Sequence, residues 1–271
     1  MPDPARPHVA LFVTCIVDQA LPEVGVAAVR LLRRAGFEVD FPASQTCCGQ
    51  PFFNSGFRDE ARRLAQRMIE IFEPYDLVVA PSGSCVAMVR IEFPHLFEEN
   101  STWHQRAKLL AERTYELSEF LVHVAQSRPA LPAASSPSTL HPPPFTAPRI
   151  TYHDSCHMNR HLHLKQEPRE LLTAAGYQID EMSESERCCG FGGLFSIRMP
   201  EVSNAMTADK LRQARETEVT TVVTSDPGCL LQMRGLADDS LRIEHLAIML
   251  DQALDRGPAP LEPQTVAKTV K

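Results

Sequence analysis

Four cysteines recur in the same order in each half of this chain, at Cys15, Cys47, Cys48 and Cys85 and again at Cys156, Cys188, Cys189 and Cys229. In both copies 31 residues separate the first cysteine from a Cys-Cys-Gly triplet. Two such triplets at one offset are improbable by chance, so the chain reads as an internal duplication. The surroundings repeat as well. Ala35-Gly36-Phe37-Glu38-Val39-Asp40 is echoed by Ala175-Gly176-Tyr177-Gln178-Ile179-Asp180, and Val78-Val79-Ala80 before Ser82-Gly83-Ser84-Cys85 by Val222-Val223-Thr224 before Asp226-Pro227-Gly228-Cys229. The second copy is three residues longer ahead of its last cysteine, where Phe191-Gly192-Gly193 adds glycines.

Each half reads as strand, helix, strand, helix, strand, because short β-branched runs bounded by Gly and Pro alternate with apolar residues at helical spacing. The expected strands are Val9 to Thr14, Phe37 to Phe41 and Leu77 to Ala80, then Ile150 to His153, Tyr177 to Glu181 and Thr221 to Thr224. Helices are expected over Glu23 to Arg34 and Arg58 to Phe72, the second with Leu64, Met68, Ile69 and Phe72 on one face. Trp103 to Val124 reads as one extra helix of the first half, with Leu109, Leu110, Leu117, Phe120 and Leu121 as its stripe. The fold class is therefore α/β, with two tandem Rossmann-like half-domains built on mostly parallel sheets. The boundaries fall at 1–128 for the first cysteine-rich domain with its extra helix, 129–148 for a linker holding seven prolines, 149–256 for the second domain and 257–271 for a disordered tail. Every cysteine position follows a strand. In an open α/β sheet the loops beyond the strands' carboxyl ends share one edge, so residues far apart in sequence meet at one site per half.

At 271 residues each half can bury its own core without staples. With 44% hydrophobic and 23% charged residues and a net charge of −7, the chain reads as globular and a poor match for nucleic acid. The opening lacks a signal peptide's basic start and apolar run, and no segment reaches the length that spans a bilayer, so a cytoplasmic location is expected. In a reducing compartment eight cysteines are metal ligands or catalytic thiols before they are bridges.

Four converging thiolates suit a soft metal, either Zn²⁺ or an iron-sulfur cluster. Structural zinc sites usually draw ligands as pairs two to four residues apart, whereas the close pair here is two adjacent cysteines, which point differently and can face two irons. That favours an iron-sulfur cluster, with zinc the alternative in one half. Gly49 and Gly190 after each pair would let backbone turn beside a bulky core, and their amides could donate to its sulfides. A dithiol-disulfide enzyme is disfavoured, since adjacent cysteines close a strained ring and no Cys-x-x-Cys motif is present.

His153, His157, His161 and His163 cluster around Cys156, but Cys15 has no such neighbours, so a mechanism shared by both halves does not need them. His153, on a strand just before a ligand, is the best of them for supporting the site from behind. Gly190-Phe191-Gly192-Gly193 lacks the spacing of a dinucleotide turn, and no nucleophile signature or carboxylate pair stands out, so no catalytic residue is assigned.

The residues Thr14-Cys15-Ile16-Val17-Asp18, Pro22-Glu23-Val24-Gly25, Cys47-Cys48-Gly49-Gln50-Pro51, Asn54-Ser55-Gly56, Ser82-Gly83-Ser84-Cys85, His153-Asp154-Ser155-Cys156, Cys188-Cys189-Gly190-Phe191-Gly192-Gly193 and Pro227-Gly228-Cys229 together resemble the cysteine-rich, Cys-Cys-Gly domain proteins. That family includes a subunit of heterodisulfide reductase and the iron-sulfur subunit of glycolate oxidase. The resemblance implies an iron-sulfur electron-transfer subunit, with one cluster per half (a 4Fe-4S cubane), that joins other iron-sulfur and accessory subunits in a complex oxidising L-lactate to pyruvate. The alternatives are a heterodisulfide reductase-like or glycolate oxidase-like subunit, a zinc-holding assembly module, or a chain in which one half alone keeps a cluster. The heterodisulfide reductase pattern ends in Cys-x-x-Cys, where five cysteines can hold a non-cubane cluster. Here Ser82 and Asp226 stand three residues before Cys85 and Cys229, leaving four cysteines per half and room for oxygen ligation by Ser82 or Asp226.

Overall fold

The computed structural model describes residues 7–126 and 147–255. Nearly all of the proline-rich linker and the whole tail at 257–271 lie outside the described residues. The first half runs β1 (His8–Leu11), α1 (Cys15–Ala20), α2 (Pro22–Arg34), β2 (Glu38–Asp40), α3 (Gln50–Asn54), α4 (Arg58–Phe72), β3 (Val78–Ala80) and α5 (Gly83–Ala87). A π-helical turn, Met88–Glu92, carries α5 into α6 (Phe93–His95), which is followed by α7 (Thr102–Glu112), β4 (Thr114–Glu116) and α8 (Leu117–Glu119). The second half runs β5 (Arg149–Tyr152), a π-helical turn at His157–His161, α9 (Glu167–Ala174), β6 (Gln178–Ile179), α10 (Leu194–Arg198), α11 (Pro200–Glu216), β7 (Thr221–Thr224), α12 (Pro227–Leu236), β8 (Arg242–His245) and α13 (Leu246–Asp255).

Local chemistry sets these elements. Pro22 opens α2, where its missing N–H costs nothing, and Val24, Ala27, Ala28, Leu31 and Leu32 recur at helical spacing on the buried face. The helix ends at Ala35, and Gly36 follows at φ 87°, a conformation that suits a residue without Cβ. The echoed Gly176 does the same at φ 84°. Asp59 and Glu60 sit in the first turn of α4, against its positive dipole end.

All strand pairs are parallel, in the order β2-β1-β3-β4 and β6-β5-β7-β8. Each sheet thus has four strands, one more than the sequence indicates. The expected helix over Trp103 to Val124 is broken: α7 stops at Glu112, Thr114-Tyr115-Glu116 pairs with β3, and only then does helix resume. Thr and Tyr favour the extended edge position, where β3 supplies ladder partners that no helix could. Leu109 of the expected stripe is 58% exposed, since α7 turns Ala107 and Leu110 inward instead.

Alternation along β1 sends Val9 and Leu11 into one core and Ala10, with Phe12 beyond it, into another. The first core continues through Leu32, Phe37 and Phe120 into Ile150, Tyr152, Leu246 and Leu250, so the halves share it. Their packing is reciprocal: α1 meets α12, and α5 meets the turn at 157–161, while α2 lies on α13 with Arg30 Nη1 donating to Asp251 Oδ2 at 3.0 Å. Gly83 makes the second contact close. A Cβ there would lie 2.5 Å from Met158 Cγ.

Gly83→Ala is therefore expected to cost about 1–3 kcal/mol, as overpacked sites do, and to lower the melting temperature by about 2–4 °C per kcal/mol. Combined with Met158→Ala, it is expected to cost less than the two single changes added together, a coupling that denaturant unfolding of the four chains measures.

Candidate metal centres

The strand order reverses between β1 and β3, and the first cysteine loops stand at that switch point. Thr14, a β-branched residue held at φ 73°, turns the chain after β1 so that Cys15 opens α1. Cys85 lies in the first turn of α5 after β3. Cys47 and Cys48 come from the loop after β2, fixed by Gln45, whose Oε1 accepts from Val13 N–H at 2.9 Å while its Nε2 donates to Leu11 O at 3.1 Å. The adjacent pair splits as expected: Cys47 Sγ lies 3.5 Å from Cys15 Sγ, and Cys48 Sγ 3.6 Å from Cys85 Sγ. Cys48 also neighbours Cys47 in the chain and each shifts the other's proton affinity, so the four thiols form one group.

The second half repeats this at the switch point between β5 and β7. Cys188 lies beside Cys156 and Cys189, and Cys189 beside Cys229, close enough for each to shift its neighbour's proton affinity. The eight sequence-chosen cysteines thus gather into two sets of four, all with free thiols. Cys48, Cys85, Cys189 and Cys229 are buried, whereas Cys15, Cys47, Cys156 and Cys188 are half-exposed. A cleft of about 240 Å³ opens beside the first set, lined by Thr14, Cys15, Gln45, Thr46 and Cys47.

Crowded thiols divide their protons unequally. Hydrogen bonds from Cys15 and Cys48 push Cys47 down to about 3 against the opposing effect of burial, and Gly49 N–H adds to this from 3.4 Å. Bonds from Cys156 and Cys189 likewise push Cys188 down to about 2, with Gly190 N–H at 3.4 Å. The partners Cys15 and Cys156 are raised by the same bonds, and Cys48 and Cys189 by theirs together with burial. Cys15, Cys47 and Cys48 therefore share their protons as one group, and Cys156, Cys188 and Cys189 do the same.

Gly49 and Gly190 hold φ of 83° and 93°. At Gly190 the neighbouring helix also requires glycine: a Cβ there would lie 2.5 Å from Ser203 O of α11. Ser82 and Asp226 are N-caps. Ser82 Oγ accepts from Cys85 N–H at 3.4 Å, and Asp226 Oδ1 accepts from Gly228 N–H at 3.0 Å and Cys229 N–H at 3.4 Å. Asp226 Oδ2 reaches across the halves to Ser84 N–H at 2.8 Å. These bonds commit both Asp226 oxygens to backbone amides.

Of the four clustered histidines, His153 has a ring nitrogen within 4.8 Å of the Cys189 and Cys229 sulfurs. It is wholly buried, and burial first, then the Lys210 cation, push it down to about 4. His157 instead contacts Gln50 Nε2 at 3.2 Å across the halves, and His161 and His163 are exposed.

Sequence reasoning missed three polar groups here. Lys210, fully buried on α11, is held by Glu184 O, by Ser185 O at 3.4 Å and by Gln213 Oε1 at 3.3 Å. Its spacing from Thr207, Leu211 and Ala214 on the buried face was the available signal. Arg169 grips buried Asp154 through two bonds of 2.8 and 2.9 Å. His245, at the end of the unforeseen β8, is buried beside Asp226.

Four sulfur donors gathered in each half are the donor set of a soft metal, and thiolate is the form that binds one. The model for the cysteine-rich domain family, CCG, matches residues 9–90 and 150–234. The chain belongs to this family. It is 42% identical to lactate utilization protein A of Bacillus subtilis and 42% identical to that of Geobacillus kaustophilus, in each case over 90% of this chain and 98% of the relative. Lactate utilization protein A of Halalkalibacterium halodurans is 40% identical over 90% of this chain and 96% of its own. No helix among the described residues is long and apolar enough to cross a membrane.

The metal-free, reduced chain is expected to keep a thiolate absorbance near 240 nm at pH 6, where unperturbed thiols with pKa about 8.5 show almost none. Cys47→Ser and Cys188→Ser are each expected to remove about half of it, and an ultraviolet pH titration of the three chains checks this.

Proposed function

We propose that this chain is an iron-sulfur electron-transfer subunit of a cytoplasmic complex that oxidises L-lactate to pyruvate. The observation that carries the reading is the gathering of eight free thiols into two four-sulfur sets at equivalent switch points. Cys15, Cys47, Cys48 and Cys85 would hold one cluster and Cys156, Cys188, Cys189 and Cys229 the other, each able to take up and pass on an electron. Similarity to lactate utilization proteins along nearly the whole chain supports lactate as the substrate of the assembly. The partners would be further iron-sulfur and accessory subunits.

The chain's own residues supply the setting. Gly49 and Gly190 N–H groups donate to one sulfur of each set, and such bonds favour added negative charge and so raise a reduction potential. Asp226 ties the helix that carries Cys85 to the helix that carries Cys229, fixing the two sets relative to each other.

A second reading is a zinc-holding assembly module, in one half or both. The 3.5 and 3.6 Å sulfur separations favour it, since two ligands of one Zn²⁺, each about 2.3 Å from the ion, stand about this far apart. Purification without oxygen, reconstitution with iron and sulfide, and analysis for iron, sulfide and zinc separate the two. Equal iron and sulfide with a reducible paramagnetic signal is the expected result, and Cys48→Ser and Cys189→Ser are each expected to remove about half of the iron. A colourless chain that retains zinc and takes up no iron would overturn the electron-transfer reading. If one variant lost all the iron and the other none, only one half would carry a cluster.

A further inference from the structure

The two halves differ sharply at one position beside the thiols. Phe12 and His153 are equivalents: each stands three residues ahead of its half's first cysteine, and each donates its backbone N–H to the neighbouring strand, Phe12 to Val79 O at 2.9 Å and His153 to Val223 O at 2.8 Å. Phe12 packs in an apolar core, its ring centroid 5.6 Å from that of Phe72. His153 is just as buried, yet neither of its ring nitrogens has a hydrogen-bonding partner among the described residues.

A buried polar group left without a partner is costly, and Phe12 demonstrates that this strand position packs well with an apolar ring. Packing alone therefore does not account for an imidazole at position 153. No sulfur accepts a hydrogen bond from the ring, although the sulfurs of Cys189 and Cys229 and a ring nitrogen all lie within 4.8 Å of one another. The ring nitrogen thus stands near enough to both sulfurs for one ion, with nitrogen and sulfur each about 2.0–2.3 Å from it, to reach all three donors after small side-chain movements.

We infer that His153 binds the metal group of the second half directly through a ring nitrogen, making that site a mixed sulfur and nitrogen centre while the first half offers sulfur alone. The inference rests on the metal-site reading proposed above and adds a ligand to it. An imidazole added to the same four thiolates leaves the net charge of the centre unchanged but gives it a donor set that the first half lacks. The duplicated sites would then be distinct rather than interchangeable.

The test uses the full chain labelled with ¹⁵N-histidine, carrying Cys48→Ser to disable the first site, and reconstituted with iron and sulfide. Pulsed electron paramagnetic resonance of the reduced protein is expected to give the strong ¹⁵N coupling of a bound imidazole, lost when His153→Phe is added. The phenylalanine is the residue the first half already tolerates, and thermal melting verifies that this chain folds. If zinc is retained instead of iron, zinc-edge X-ray absorption is expected to find a nitrogen neighbour that disappears in the same variant. Iron or zinc bound with no nitrogen signal, or with one unchanged by His153→Phe, would overturn the inference and leave the metal-site reading standing. Binding of neither metal by the unmutated chain would overturn both.

Discussion

Pairing β1 with β3 in parallel, and β5 with β7 in the same way, sends the crossover segments to opposite sides of each sheet and opens a crevice at the strands' carboxyl ends. The thiols of each set reach one another only through that crevice, since Cys15 and Cys85 are 70 positions apart in the chain. The close sulfur contacts then exist because the backbone is already committed. Thr14 is held at an unfavourable φ, Gly49 in the left-handed region, and Cys85 at a capped helix start. Loss of the central pairing would scatter the donors before any property of the thiols mattered.

The sequence was most readable where two independent signals coincided. Duplication identified the eight cysteines, and apolar residues at helical spacing gave Arg58–Phe72 its limits. Edge strands were another matter. Thr114–Glu116 is three residues long and flanked by helical composition, and Arg242–His245 alternates charge with a single isoleucine, so neither forms an apolar run. Their stability comes from a neighbour distant in sequence. The same limit applied to Asp226, whose position marked it as special but whose bond to Ser84 depends on how the halves meet. The unpartnered nitrogens of His153 are likewise a property of three-dimensional surroundings.

Duplication preserved the cysteines while the surroundings diverged. The missing Cβ of Gly49 faces Ala61 and Leu64, and that of Gly190 faces Ser203 and Met206, which aligns α4 with α11. On that alignment Thr207 stands where the first half has Ala65, and Lys210 where it has Met68. Thr207 Oγ1 donates to Cys189 O at 2.7 Å, and Ser203 Oγ to Gly190 O at 2.9 Å. The second set of thiols therefore sits in a polar, hydrogen-bonded shell that includes a buried cation, whereas the first is backed by hydrocarbon. Electrostatic stabilisation of added negative charge is accordingly unequal between the halves.

The cleft beside Cys15 and Cys47 gives the first set of thiols a front and a back. Cys48 and Cys85 are closed off behind, so anything arriving from solvent meets the same two sulfurs first. Delivery of a cofactor and attack by an oxidant consequently share one doorway. Anything that covered this opening would therefore shield the site from oxidants and close it to its cofactor in the same act.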